Sequence, residues 1–556
     1  KTELLRVDLS VEEIKRERRI LGMSAGEKYD RFEAWLKENG ANFDFLELRE
    51  YDAPPDILEE QEEKKESQLK DESEMRGVHA RSHIPPNTTC LQIPRKCLIT
   101  VEMGQATPLG QAILNSDLDL DAPKHIFLMI YVLWDRMCNG SNSFFHPYYE
   151  ILPRTLRNMP VFWSQEELAQ LEGSYLLSQI ADRNEAIAED YHSICQVAPE
   201  LYDLCSLEEF KWARMCVCSR NFGLQIDGHR TSALVPHADM LNHFRPRETK
   251  WTFDEEKQAF TITTLQSIPA GAQVYDSYGQ KCNHRFLLNY GFAVEDNREL
   301  DGFCPNEVPI ELSVSLDDPC FQKKVEFWTR GENASFAAAV AAVTTSQSQQ
   351  AVINAVEVAV HQQETDIAPV KRVRVCVSNN ENTRLLFSLL RTLVCTEDEL
   401  SALSTDMVSR SLFGLDTKSS QPLYRSCRDI RHPVSLRNER ATMRLLLDTV
   451  SIALSRYPTT LSKDTSDLMD EVSFPRFSNR RHAKIQVKGE KEVLTHFAKW
   501  ANTALEVMDL IQEGQSIERT IANIEECGLH HTIIRYCADV LTALQREEMK
   551  NLRRRA

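Results

Sequence analysis

At 556 residues the chain exceeds what one ordinary hydrophobic core organises, and the ~100–200 residues of a usual domain suggest about three units. Its 42% apolar content is that of a folded globular protein, so disorder does not describe most of it. A net charge of -18, from 83 acidic against 65 basic residues, disfavours broad attachment to nucleic acid or anionic lipid and suits a basic protein segment as partner.

Residues 1–41 read as an N-terminal helical segment. Ser10 and Glu13 have the spacing of a capping box, and Tyr29, Phe32, Trp35 and Leu36 share a helical face that Asn39-Gly40 ends. Residues 42–106 read as the first part of a β unit, opening with a strand-like Phe43 to Tyr51. Within it, Leu58 to Glu74 is almost wholly charged or amide-bearing and reads as a solvated loop or exposed helix. From Gly77 the period becomes two, with Gly77 to Arg81 and Cys90 to Pro94 as strands about the turn residues Pro85-Pro86-Asn87. Residues 107–215 turn helical around the aromatic-rich Ser143 to Tyr149, a longer interruption than an ordinary connection. Over 216–300 strands resume at Ser232 to Val235, Phe260 to Leu265 and Gln273 to Tyr278. From 308 to 545 the pattern is mostly helical, as in Thr383 to Val394 and Glu439 to Ser455. Ala337 to Gln363 reads as a low-complexity connection, and Arg553-Arg554-Arg555 as a solvated tail. The fold class expected is α+β.

The 15 cysteines are scattered singly, which reads as free thiols in a reducing compartment, cytosol or nucleus. Cys216 and Cys218 lack the second pair that a structural zinc site needs, so no metal is expected. No apolar run reaches the ~20 residues that span a bilayer. The chain begins at Lys1, and an upstream targeting segment, removed or left out, keeps an organelle open as a destination.

Two stretches carry chemistry: Asp239-Met240-Leu241-Asn242-His243 and Tyr275-Asp276-Ser277-Tyr278-Gly279. Asn242 offers both a carbonyl and an amide, suited to the charged ends of a bound amino acid. His243 can satisfy a buried loop or shape an adenine pocket. Tyr278 brings a hydroxyl to the end of an apolar run, and Tyr290-Gly291-Phe292 adds two rings. Moving a methyl group from a sulfonium to an amine asks for such parts: a held donor, an aligned acceptor and little water.

In order and spacing these stretches resemble the branch of SET-domain proteins that includes the Rubisco large-subunit lysine methyltransferase and the actin-histidine methyltransferase. The resemblance runs through Glu74-Met75-Arg76-Gly77-Val78-His79-Ala80, Ile93 to Glu102, Tyr149 to Pro153, Ser219-Arg220-Asn221-Phe222 and Leu234 to His243. It continues through Tyr275 to Gly279, Asn283 and Tyr290-Gly291-Phe292, and extends weakly over Leu389 to Leu400. It implies a SET fold split by the helical insertion, with a C-terminal helical domain that grips a protein substrate. It implies S-adenosylmethionine held by Glu74, Arg76, Gly77, Glu102, Asn242, His243 and Phe292, with Tyr278 catalytic. Arg220, Phe222, Asp239 and Tyr290 would surround the acceptor side chain. The chain departs from the family's glycine-any-glycine motif at Met75, and no cysteine cluster follows Phe292. Phe222 stands where the histidine-modifying branch has asparagine, and Tyr290 is also of the lysine type. The function expected is therefore S-adenosylmethionine-dependent methylation of lysine on a non-histone protein. The alternatives are an actin-type histidine methyltransferase and an inactive SET-fold scaffold in a larger assembly.

Overall fold

The computed structural model describes residues 25–51, 75–330, 370–378, 381–401, 433–515, 517–526 and 529–546. The Ser10/Glu13 spacing, the charged segment with Glu74, the Ala337 to Gln363 stretch and the terminal arginines lie outside the described residues. The chain divides into two compact units: 1–170, 176–294 and 470–482 form the first, and 171–175, 295–469 and 483–556 the second.

The first unit opens with α1 (Ala25–Glu38), whose Phe32, Trp35 and Leu36 recur at helical spacing and are buried together. Gly40, at φ +88°, provides the left-handed residue that stops it. Strands β1 (Leu46–Tyr51) and β2 (Met75–Ala80) then pair antiparallel, from Leu46 opposite Ala80 to Tyr51 opposite Met75. Two three-stranded antiparallel sheets follow. In one, β3 (Thr89–Pro94) and β7 (Thr249–Asp254) flank β8 (Ala259–Thr264). In the other, β4 (Ile99–Thr100) and β5 (Asn221–Ile226) flank β6 (His229–Leu234).

The stretch between β4 and β5 is helical, as its periodicity predicts. Helix α2 (Pro123–Asn139) buries Ile126 to Ile130 as a continuous apolar run. Helix α3 (Leu207–Arg220) starts on a capping box, in which Glu209 N–H donates to Ser206 Oγ (3.3 Å) and Ser206 N–H to Glu209 Oε2 (2.8 Å). It runs directly into β5, so Arg220 closes the helix and Phe222 sits at the second strand position.

Two differences from expectation have physical causes. Gln273 to Tyr278 forms no continuous strand: Val274 N–H donates to Val78 O (2.7 Å), then Asp276 N–H to Asn242 O (2.9 Å), so the segment changes partner midway. Strands β5 and β7 lie at sheet edges, where exposed Gly223, Lys250 and Thr252 dilute the apolar pattern. Central β8 is buried at all positions but Thr263, and so reads clearly in sequence.

The second unit is mostly helical, as expected, and also carries a pair of strands. Strand β9 (Glu307–Ser313) pairs antiparallel with β10 (Val370–Cys376). Val308, Ile310 and Leu312 alternate inward along β9, a period-two signal that the helical reading of 308–545 overlooks. Beyond them come α5 (Glu381–Leu393) and α6 (Leu436–Ser455). Arg391 on α5 meets Glu439 on α6 through Nε (2.8 Å) and Nη2 (2.7 Å), with both side chains fully buried and Tyr536 donating to the same carboxylate. Among the described residues no helix is long and apolar enough to cross a membrane.

A buried pair of this kind is worth most when one member is removed, because the other is left charged and dry. Arg391→Met should cost about 3–5 kcal/mol in denaturant unfolding of the second unit, and Glu439→Leu added to it should recover much of that loss.

Candidate active site

The two chemistry-bearing stretches are hydrogen-bonded to each other. Asp276 N–H donates to Asn242 O (2.9 Å), Phe244 N–H donates to Asp276 O (3.0 Å), and Tyr278 N–H donates to His243 Nδ1 (3.0 Å). The Tyr278 hydroxyl donates to Leu241 O at 2.8 Å. Backbone and side-chain bonds together therefore fix the tyrosine against the Asn-His segment. His243 Nδ1 acts as an acceptor, which requires a neutral imidazole with its proton on Nε2. Burial, aided by Arg245 and Lys281, pushes the His243 pKa down to about 3. Burial also pushes the neighbouring Asp276 carboxyl up to about 6, while its Oδ1 accepts from Ser277 N–H (2.6 Å).

Around Tyr278 the rings form one wall. Tyr290 stacks on it at 4.8 Å and His243 at 5.2 Å. Phe292 lies 6.2 Å from Tyr278 and stacks on Phe286 at 5.1 Å, while Phe286 lies 4.8 Å from His243. Burial holds the Tyr278 and Tyr290 phenols well above their usual range, so both hydroxyls stay protonated. The wall is set by α4 (Asn283–Tyr290) and its end at Gly291, where φ is +77°. A Cβ at Gly291 would lie 2.2 Å from Asn158 Nδ2, so only glycine admits both this turn and this neighbour. Asn283, at the other end of the helix, donates to Val294 O and accepts from Val294 N–H, each at 2.9 Å.

A second set of contacts organises the glycine side. Asn242 Nδ2 donates to Arg76 O (2.9 Å) and Gln273 Oε1 (2.9 Å). Gln273 Nε2 donates to Tyr51 Oη (2.7 Å), which lies 2.6 Å from His79 Nε2, and His79 Nδ1 reaches Gly271 O (2.9 Å). Because a carbonyl only accepts, His79 Nδ1 donates to it and Nε2 accepts a hydrogen bond from the Tyr51 hydroxyl, so the bonds run one way from Asn242 to Gly271. A Cβ on Gly77 would stand 2.4 Å from Tyr51 Oη and 2.9 Å from Gln273 Oε1, so this relay needs glycine there. Asn242 spends both amide protons and keeps Oδ1 as an acceptor.

The other predicted residues divide. The Arg76 guanidinium turns to Ile151 O (2.7 Å) and the Tyr29 hydroxyl (3.0 Å), so its carbonyl is what meets Asn242. Arg220 pairs with Asp239 Oδ2 (3.1 Å), which also accepts from the Tyr148 hydroxyl (2.9 Å); Asp239 Oδ1 is buried without a partner. Phe222 meets Trp251 (5.5 Å) and Phe260 (5.0 Å) edge to face, tying its sheet to the neighbouring one rather than joining the Tyr278 rings. Glu102 is exposed; although burial acts to raise its carboxyl, Thr100, Thr231 and Arg95 hold it below the usual range, and these are its neighbours rather than Asn242. Glu74 lies outside the described residues. Sequence reasoning missed Tyr51, His79, Gln273, Tyr148 and Phe286. Of these, Phe286 was findable, since it precedes Tyr290 by one helical turn. Gln273 carries no signal of its own.

Comparison with known proteins adds context. A family described as Rubisco LSMT substrate-binding matches residues 315–494. Actin-histidine N-methyltransferases of Callithrix jacchus and Homo sapiens are each 26% identical over 517 residues, covering 90% of this chain and 73% of theirs. Among solved structures, the SET domain of LSMT bound to lysine and AdoHcy aligns with a TM-score of 0.59 at 19% identity, covering 88% of this chain and 93% of its own. Rubisco LSMT bound to sinefungin and monomethyllysine aligns equally well at 20% identity, covering 88% and 94%.

The depressed His243 pKa has a definite sign. Lying below the unfolded value of about 6.5, it stabilises the native state above that pH, and this contribution is lost as pH falls from about 6.5 towards about 3. The His243 ring resonances should therefore stay flat in NMR between about pH 5 and 8, and His243→Phe should lessen the loss of stability on acidification.

Proposed function

We propose that this chain, which belongs to the branch of SET-domain proteins containing the Rubisco large-subunit and actin-histidine methyltransferases, is an S-adenosylmethionine-dependent protein N-methyltransferase whose acceptor is a lysine of a non-histone protein. The observation that carries the chemistry is the Tyr278 hydroxyl. Its proton is committed to Leu241 O at 2.8 Å, so towards anything else beside it the oxygen offers only lone pairs.

The residues present fit the cofactor. Asn242 keeps Oδ1 for an ammonium group, the Arg76–Gly77 backbone runs beside it, and Phe286, Phe292 and His243 give flat apolar surface for a purine. Because Arg76 joins through its carbonyl, the non-glycine residue at Met75 leaves this backbone contact intact. When bound, S-adenosylmethionine supplies a methyl group activated by its sulfonium. The chain's own part is to hold, orient and dry the acceptor. Tyr278 accepts a hydrogen bond from the amine or from polarised C–H, and the stacked Tyr290 narrows the approach. An amine with a pKa of ~10.4 must arrive neutral, and a ring-lined site with little water favours that form.

Lysine is the preferred acceptor because Tyr290, stacked on Tyr278 at 4.8 Å, gives that side a second aromatic ring, and because Phe222 and Tyr290 match in residue type the lysine-modifying members that the chain resembles. The histidine reading draws on the actin-histidine relatives and on the partnerless Asp239 Oδ1, an acceptor within the buried Arg220 cluster. The substrate-binding match over 315–494 supports the second unit as the holder of the protein substrate. Free, mostly buried thiols at the described cysteines support a reducing compartment, cytosol or nucleus, as the place of action.

Incubation with methyl-labelled cofactor and lysine- and histidine-bearing acceptor proteins, followed by mass-spectrometric site mapping, should place the label on lysine. Label found only on histidine would move the assignment to the second reading, and absence of cofactor binding would leave a scaffold. Tyr278→Phe should lower kcat by about 100-fold or more while the cofactor Kd stays within about threefold.

A further inference from the structure

Residues 479–482 lie far along the chain from the ring wall, yet they brace it from two sides within the first unit. They form the first turn of α7 (Asn479–Gln512). Asn479 Nδ2 donates to Arg157 O (3.0 Å) and Glu167 Oε1 (2.6 Å). The residue after Arg157 is Asn158, whose amide packs on Gly291 and lies 3.4 Å from both Tyr290 O and Gly291 O. On the other side, His482, only 7% exposed, accepts the Ala293 N–H on Nδ1 at 3.1 Å. Burial pushes the His482 pKa down to about 4, which keeps the accepting nitrogen unprotonated near neutral pH.

Three successive residues are thus held by three different devices. Phe292 is held by stacking on Phe286, Ala293 by His482, and Val294 by the two-way grip of Asn283. We propose that His482 is a positioning residue for the cofactor shelf: through the Ala293 amide it fixes the backbone that carries Phe292 against His243 and Tyr278. The inference rests on the reading of Phe292 as part of the S-adenosylmethionine site. It adds a residue outside the ring wall, in a segment that none of the site motifs reaches.

The geometry dictates the variants. His482→Leu keeps apolar bulk but removes the acceptor, leaving the Ala293 N–H buried without a partner. His482→Asn restores an acceptor oxygen close to where Nδ1 stands. Calorimetric binding of S-adenosylhomocysteine to the full chain should weaken about tenfold in the Leu variant and return to within about threefold of wild type in the Asn variant. Steady-state kinetics should show the loss mainly in KM for the cofactor, with kcat less affected. Hydrogen exchange of the peptide spanning 291–294 should speed up in the Leu variant and slow again in the Asn variant. A Leu variant that binds cofactor as tightly as wild type, with unchanged exchange at Ala293, overturns the proposal, as does loss of stability without any change in KM. If wild type itself binds no cofactor, the functional reading fails instead, and the exchange measurement still decides whether His482 holds this backbone.

Discussion

The constraint on which the site depends is the hydrogen bonding between residues 242–244 and 276–278. Asp276 N–H on Asn242 O, Phe244 N–H on Asp276 O and Tyr278 N–H on His243 Nδ1 place two loops, separated by the hairpin of β7 and β8, in one fixed register. Each such bond contributes only about 0.5–1.5 kcal/mol net, but an unmade one in this buried setting costs more, which is why the register is sharp. Once it is set, Tyr278 has one place to put its hydroxyl proton, Leu241 O, and the ring wall follows from the helix that carries Phe286 and Tyr290.

Two polar systems serve this centre differently. The relay from Asn242 through Gln273, Tyr51 and His79 to Gly271 is a run of hydrogen bonds pointing one way, and it fixes the Asn242 amide so that its oxygen is the free end. The Arg220–Asp239–Tyr148 cluster is ionic and buried, and it anchors the end of α3 to the segment preceding Asn242. The first shapes what is presented to a ligand. The second holds the Asp239 carboxylate between the Arg220 guanidinium and the Tyr148 hydroxyl, so this buried charge is paired.

Much of this was legible in the sequence, for identifiable reasons. Phe32, Trp35 and Leu36 declare α1 because a half-buried helix must repeat near 3.6, and β8 declares itself because a central strand is apolar on both faces. Asn242, His243, Tyr278, Tyr290 and Phe292 were singled out by residue type and by the order of the motifs, and the fold brings them together. Gln273 and His482 were not legible, since each acts on one backbone or side-chain group brought near only by tertiary folding. Phe222 was read for its type, but its ring packs on Trp251 and Phe260, a contact between sheets that no local pattern encodes. The β9–β10 pair was hidden because the two strands are distant in sequence, so only the alternation of Val308, Ile310 and Leu312 hinted at it.

The central claim is that the Asn242 amide, oriented by Arg76 O and Gln273, forms one end of a cofactor site whose other end is the ring wall. Isothermal titration of the full chain with sinefungin, wild type beside Asn242→Ala, tests it most directly. One-to-one binding by wild type, weakened about 30-fold or more in Asn242→Ala at unchanged thermal stability, is the predicted result. Equal affinity in the two proteins, or no binding by either, would contradict it.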